Sequence, residues 1–154
     1  MKILSSLTDA KNALAYKLLN TDAFDYFFLE ASQKARDLDR LLNQLPILVA
    51  HLLAVKFDVI DKRDINHYKK EINVFLLNLL ITVPDKIKYN ELYSKMLERA
   101  LSRKTITIVN RYFELREYRG VEFSSEVKDY LTVTIETIAK ALLSGERLDA
   151  NHLL

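Results

Sequence analysis

Three histidines, His51, His67 and His152, are the residues best suited to acid–base or metal chemistry in this chain. None stands at a spacing that a metal or a catalytic mechanism requires. There is no His-Glu-x-x-His and no Glu-x-x-His, the helical spacings that put two metal ligands, or a ligand and a base, on one face. The absence of Cys removes disulfides, thiolate metal sites and a Cys nucleophile together. The two glycines, Gly120 and Gly145, lie far apart, so no glycine-rich loop cradles a phosphate. His51 lies inside an apolar run and reads as a hydrogen-bonded core or boundary histidine; His152 lies near the C-terminus and reads as solvated. The carboxylates Asp22, Asp25, Glu30, Asp37 and Asp39 are interleaved with Lys34, Arg36 and Arg40. That is the pattern of a solvated helix face rather than of a carboxylate pair held in a pocket. The expectation is a chain with no catalytic residue, metal site, cofactor or small-molecule substrate.

One pattern has an enzyme-like look. Arg63-Asp64-Ile65-Asn66-His67-Tyr68 places an arginine and a histidine four residues apart, on one face if the segment is helical. It resembles the Arg-x(4–6)-His motif of HEPN-domain ribonucleases, which are small all-helical proteins. There, two such motifs meet at a dimer interface and cleave RNA. The gap here is three residues, shorter than that pattern, and the resemblance covers six residues. A HEPN-like ribonuclease centred on Arg63 and His67 is therefore the third reading.

Residues 86–121 carry a stronger binding signal. A helix reaches Ala100, breaks at Leu101-Ser102, and a second helix opens with Arg103-Lys104. This has helix-turn-helix form, in which the N-terminal residues of the second helix enter the major groove. Arg103, Lys104, Thr107, Asn110 and Arg111 share one polar stripe at 100° per residue, and Arg and Asn side chains can read guanine and adenine edges. Tyr118-Arg119-Gly120-Val121 is similar to the leucine–glycine–aliphatic ending of many winged-helix recognition helices. The departures are a helix about a turn too long, no wing hairpin after Gly120, and Glu114 and Glu117 diluting the charge. More faintly, residues 31–42 followed by 59–72 resemble the helical lid before the winged helix of origin-recognition-type initiator ATPases. No nucleotide-binding domain precedes them here, so no ATPase activity follows.

Eight Tyr and seven Phe in a chain without Trp point to a third chemistry, protein contact. So many tyrosines cannot all be deeply buried with satisfied hydroxyls, and Tyr is enriched at interfaces because it joins apolar area to a polar tip. Ile108, Tyr112 and Leu115 lie on a different side of their helix from Ile106, Val109 and Phe113. One set faces the core; the other, continued by Tyr118, is the candidate interface, facing either a partner or another helix of the same domain.

Helices must position all of these residues. Hairpin-rich folds need many residues with positive φ, and two glycines in 154 residues is far below the usual ~7%. Apolar residues recur at three- and four-residue steps along most of the chain. A first helix is expected over about residues 6–19. A second starts at the N-cap Thr21 and runs through Phe24, Phe27, Phe28, Ala31, Ala35, Leu38, Leu42 and Leu45. Pro46 is expected to break the chain and open a third helix, apolar on nearly every face, with a buried strand at residues 55–60 as the alternative. Asp64 caps a fourth helix that ends before Pro84. Later helices cover about residues 90–100, 102–119 (stopped by Gly120) and 125–144 (stopped by Gly145), leaving residues 146–154 as a loose tail, with docking of its terminal Leu153-Leu154 on the body as the alternative.

The fold expected is all-α: a single compact bundle of about seven helices over residues 1–145. The apolar fraction of 49% suffices for a core. The longest apolar runs, 45–55 and 74–83, are shorter than the ~18 residues of a spanning helix, so no membrane role is expected. No secretory signal is evident at the N-terminus, and the expected location is the cytoplasm. A net charge of +2 is small for a protein that coats nucleic acid. The leading expectation is a non-catalytic protein-interaction or regulatory module, an adaptor or assembly subunit that self-associates or binds a protein partner. The alternative is a nucleic-acid binder using the helix from Ser102 to Arg119.

Overall fold

The structure, a computed structural model, describes residues 18–154, with side chains from residue 28 onward. Five α-helices follow one another: α1 (Leu18–Lys56), α2 (Ile65–Thr82), α3 (Tyr89–Ala100), α4 (Arg103–Leu115) and α5 (Ser125–Ser144). Two 3-10 turns, Lys62–Asp64 and Ala150–His152, complete the order. No strand occurs among the described residues, and residues 57–61 form a turn where a strand was the alternative. The all-helical expectation therefore holds, with five helices among the described residues where about seven were expected in the chain. The helix expected over residues 6–19 lies outside the described residues except for its last two, which already belong to α1.

Two expected breaks are absent because α1 is continuous through Thr21 and through Pro46. Proline removes one amide donor and costs about 3 kcal/mol inside a helix. Around it Leu41, Leu42, Leu45, Leu48, Val49, Leu52 and Leu53 are all buried. Each such side chain contributes roughly 1.5–3 kcal/mol on burial. Keeping both halves on one axis in that core outweighs one lost hydrogen bond, and the helix runs through the proline.

The chain divides into two compact units, residues 1–37 and 38–154, with the boundary inside α1. In the first, Gln33 Nε2 donates to Asp37 Oδ1 at 2.7 Å and Arg36 Nη2 donates to Gln33 Oε1 at 2.9 Å. The second holds the core. The centre of α1 lies against Tyr68, Ile72, Leu76 and Leu79 of α2, Leu92 and Met96 of α3, Val109 and Phe113 of α4, and Leu131, Ile135 and Ile138 of α5, all in one buried cluster. By length and composition Phe28–Lys56 could cross a membrane, which the count of unbroken apolar runs did not show. In this structure 61% of that apolar window is buried within the protein.

Helix ends follow local chemistry. Val83 is extended (φ −62°, ψ 131°), as the residue before Pro84 must be, and α2 stops there. Ser102 and Ser124 cap α4 and α5, accepting from Thr105 N at 3.2 Å and Val127 N at 3.4 Å. Asp64 occupies the N-cap position of α2 but makes no side-chain cap bond, because it closes the preceding 3-10 turn.

The end of α4 departs from expectation. It stops at Leu115, short of Gly120, and Glu117 adopts the left-handed conformation (φ 58°). Tyr118 N donates to Phe113 O at 2.9 Å and Glu117 N to Glu114 O at 3.0 Å, the paired bonds of a Schellman cap. The hydrophobic contact that accompanies such a cap is Tyr118 on Phe113, ring centroids 6.1 Å apart. Asp58 (φ 55°) ends α1 with the same pair of bonds, and Gly145 (φ 70°) ends α5 as expected.

Residues 146–154, expected as a loose tail, are held to the body. Ala150 and Leu153 are buried. Asn73 of α2 donates to Asp149 Oδ1 at 3.1 Å and accepts from Ala150 N at 2.7 Å, while Tyr130 Oη donates to Leu153 O at 2.8 Å.

Candidate functional site

α3 and α4 are joined by the two residues Leu101 and Ser102. Ser102 Oγ both caps α4 and donates to Arg99 O at 2.8 Å, which ties the turn to the end of α3. α4 buries Thr105, Val109, Tyr112 and Phe113. Its opposite face presents Arg103, Lys104, Thr107, Asn110 and Arg111, all exposed. Among the described residues Arg103 and Lys104 have no hydrogen-bond or ion-pair partner, while Arg111 lies 3.5 Å from Glu114.

The four candidate interface residues do not share one environment. Leu115 is 65% exposed and Ile108 is half-buried. Tyr112 is buried and Tyr118 half-buried, because both turn their hydroxyls inward to Tyr68.

Those tyrosines belong to a polar cluster that sequence reasoning did not assemble. His51 sits in the buried centre of α1. Its Nδ1 lies 2.8 Å from the carbonyl of Ile47, one turn back, and its Nε2 lies 2.8 Å from Glu71 Oε1 of α2. Both ring nitrogens thus have a hydrogen-bond partner, a backbone carbonyl on one side and a carboxylate on the other. The ring packs among Tyr68, Phe75 and Tyr112 at centroid distances of 4.9, 5.4 and 5.3 Å, in tilted and edge-on arrangements. Glu71 uses its second oxygen on His67, 3.6 Å away. Tyr112 Oη lies 3.4 Å from His51 Nε2. The hydroxyl of Tyr68 then links Tyr112 at 3.1 Å to Tyr118 at 2.9 Å.

Burial, helped by the hydrogen bond to Tyr112, pushes the Tyr68 hydroxyl up to about 12. The hydrogen bond to Tyr68, then burial, pushes Tyr118 up to about 12 as well. Burial also raises Tyr112. All three are held neutral at ordinary pH and serve as hydrogen-bonding groups. Arg116 covers the Tyr112 ring, its guanidinium carbon 3.6 Å from the centroid. Together Ile47, His51, His67, Tyr68, Glu71, Phe75, Tyr112 and Arg116 line a depression of about 450 Å³.

Arg63 and His67 have separate partners. Arg63, in the 3-10 turn, pairs with Asp61 at 3.4 Å, whereas His67 turns to Glu71. His67 joins the depression; Arg63 is not among the residues lining it. His51 is the buried, hydrogen-bonded histidine that its apolar setting implied. The signal for the rest was weak: His67 and Glu71 stand one helical turn apart, but His51 lies 20 residues from Glu71 and 61 from Tyr112 along the chain.

Comparison with known proteins returns no match to any family model, any curated protein or any solved structure.

Proposed function

We propose that this chain is a non-catalytic protein-interaction and regulatory module that self-associates along the outer face of α2. The observation that carries this reading is an apolar stripe. Val74, Leu77 and Ile81 are 58%, 37% and 71% exposed. At 100° per residue they fall within an arc of about 60°. The same helix buries Tyr68, Ile72, Leu76 and Leu79 on its other side. A helix of a monomeric bundle needs one apolar stripe, and a second, exposed stripe is the mark of a surface that meets a partner. A second copy presents the same stripe, and two-fold pairing of one patch with itself is the commonest way such a face is covered.

The test is light scattering across a concentration series with the wild type and Val74→Asp/Ile81→Asp. Both positions are exposed, so the variant keeps its fold, which circular dichroism checks. A dimer that the double substitution dissociates supports the proposal. A wild type that stays monomeric at high concentration rejects self-association.

A second reading has its own observation. The exposed stripe Arg103, Lys104, Thr107, Asn110 and Arg111 on the second helix of a helix–turn–helix supports nucleic-acid binding. Fluorescence anisotropy with duplex DNA and with RNA over a salt series tests it. Affinity that falls with salt and is lost in Arg103→Glu/Lys104→Glu favours this reading, because phosphate contacts dominate such binding. No binding at low salt removes it.

A further inference from the structure

Arg116 presents a cationic fork to the depression lined by Tyr112, Tyr68 and Glu71. Its guanidinium stacks on Tyr112, and Nη1 donates to the Tyr112 carbonyl at 3.4 Å. Among the described residues it has no carboxylate partner. Stacking fixes the plane of the fork, and one carbonyl accepts from only one of its five N–H groups. The remaining donors have no acceptor among the described residues.

The nearest lining carboxylate is already engaged. One oxygen of Glu71 lies 2.8 Å from His51 and the other 3.6 Å from His67. Both oxygens of Glu71 thus face histidines, and no carboxylate among the described residues lies against the Arg116 guanidinium. Around it Ile47, Phe75 and the ring of Tyr112 supply apolar and aromatic wall. A concave site with a fixed cationic fork beside an aromatic wall suits a ligand that is anionic at one end and apolar at the other.

We propose that the depression formed by α1, α2 and α4 binds an organic oxyanion, a carboxylate or phosphate on an aromatic or branched apolar body. Arg116 anchors the anion through its free donors. Ile47 and Phe75 receive the apolar body, and His67 stands at the rim. The His51–Glu71 pair and the Tyr68 hydroxyl act behind them as positioning groups, because they hold Tyr112, which in turn holds Arg116. This inference is independent of the α2 apolar stripe and of the α4 basic stripe.

The experiment is calorimetric titration of the full chain at low salt with four probes: phenyl phosphate, benzoate, inorganic phosphate and benzyl alcohol. At least one aryl anion should bind saturably, and benzyl alcohol and inorganic phosphate should bind about tenfold more weakly or not at all, since each lacks one half of the ligand. Arg116→Ala and Arg116→Gln should each lose about tenfold or more; the glutamine keeps a side-chain stem over Tyr112 without the charge. Lys128→Ala, an exposed cation on α5, should leave affinity unchanged. Tighter binding of phenyl phosphate or of benzoate assigns the anion. The proposal is overturned by no saturable binding of either aryl anion, by unchanged affinity in both Arg116 variants, or by an equal loss in Lys128→Ala.

Discussion

His51 shows how much a single residue depends on its partners. A polar imidazole in the centre of an apolar helix is costly alone, and Ile47 O, Glu71 and three aromatic rings make it acceptable. His51→Ala removes the ring and leaves the Glu71 carboxylate without its nearest partner. Breaking a fully buried pair costs about 3–5 kcal/mol, but Glu71 is 42% exposed and water recovers part of it, so the expected loss is about 2 kcal/mol. Chemical denaturation measures this, and a loss below ~0.5 kcal/mol would show that the pair contributes little. The tyrosines make a separate prediction. Tyr68 and Tyr118 titrate near 10 in the unfolded chain and near 12 when folded, so folding favours their neutral forms. Their contribution is fully present below pH 10 and is lost as pH rises through about 12. Alkaline unfolding should therefore fall in that window, with circular dichroism and tyrosinate absorbance changing together. Tyr68→Phe should shift the transition. None of this was legible in the sequence, where His51 could be read as buried but nothing pointed to Glu71, 20 residues away, as its partner.

Helices, in contrast, were legible wherever periodicity and a cap agreed. α5 begins after Ser124 and ends at Gly145 because the hydroxyl cap, the apolar face and the left-handed glycine all mark the same boundaries. The errors came where a local breaker was overruled by packing. Pro46 signals a break, but the leucines on both sides are buried in one core and keep the helix whole. Gly120 signals a stop, but Tyr118 packing on Phe113 and bonding to Tyr68 closes α4 earlier, at the expense of a left-handed Glu117. That conformation costs a non-glycine residue about 1–2 kcal/mol. Glu117→Gly should thus raise stability by about 1 kcal/mol, part of the relief being offset by the greater freedom of glycine in the unfolded chain. A thermal melt checks the sign, and a lower midpoint would mean that the Glu117 side chain does more than the backbone geometry indicates. At the other end of α4, Ser102→Ala removes a cap and the tie to Arg99, with an expected loss of about 1 kcal/mol.

At the scale of the whole molecule, the C-terminus closes the second unit. Asn73 of α2 grips Asp149 and Ala150, Tyr130 of α5 reaches the Leu153 carbonyl, and Lys56 at the end of α1 donates to Leu154 O at 3.2 Å. Three helices distant in sequence thus share the last few residues as a common partner. The sequence suggested a tail because Gly145 ends the periodic pattern and no further helix follows; it gave no sign that Asn73 would supply the missing backbone partners. Truncation after residue 148 distinguishes a spectator tail from a structural clasp. A spectator would leave stability unchanged. Here the truncation uncovers the surface that buries Leu153, worth about 2 kcal/mol. It also takes the Leu153 acceptor from the Tyr130 hydroxyl, whose burial already pushes its ionisation up to about 12, at a further cost of about 1–3 kcal/mol. The expected total is about 3–5 kcal/mol, read from denaturant unfolding. Tyr130→Phe supplies the internal check. In the full chain it removes the donor to Leu153 O and should destabilise; in the truncated chain it removes a hydroxyl that no longer has that acceptor, and should cost less or restore stability. Equal effects in the two backgrounds would show that the tyrosine and the C-terminus are not coupled.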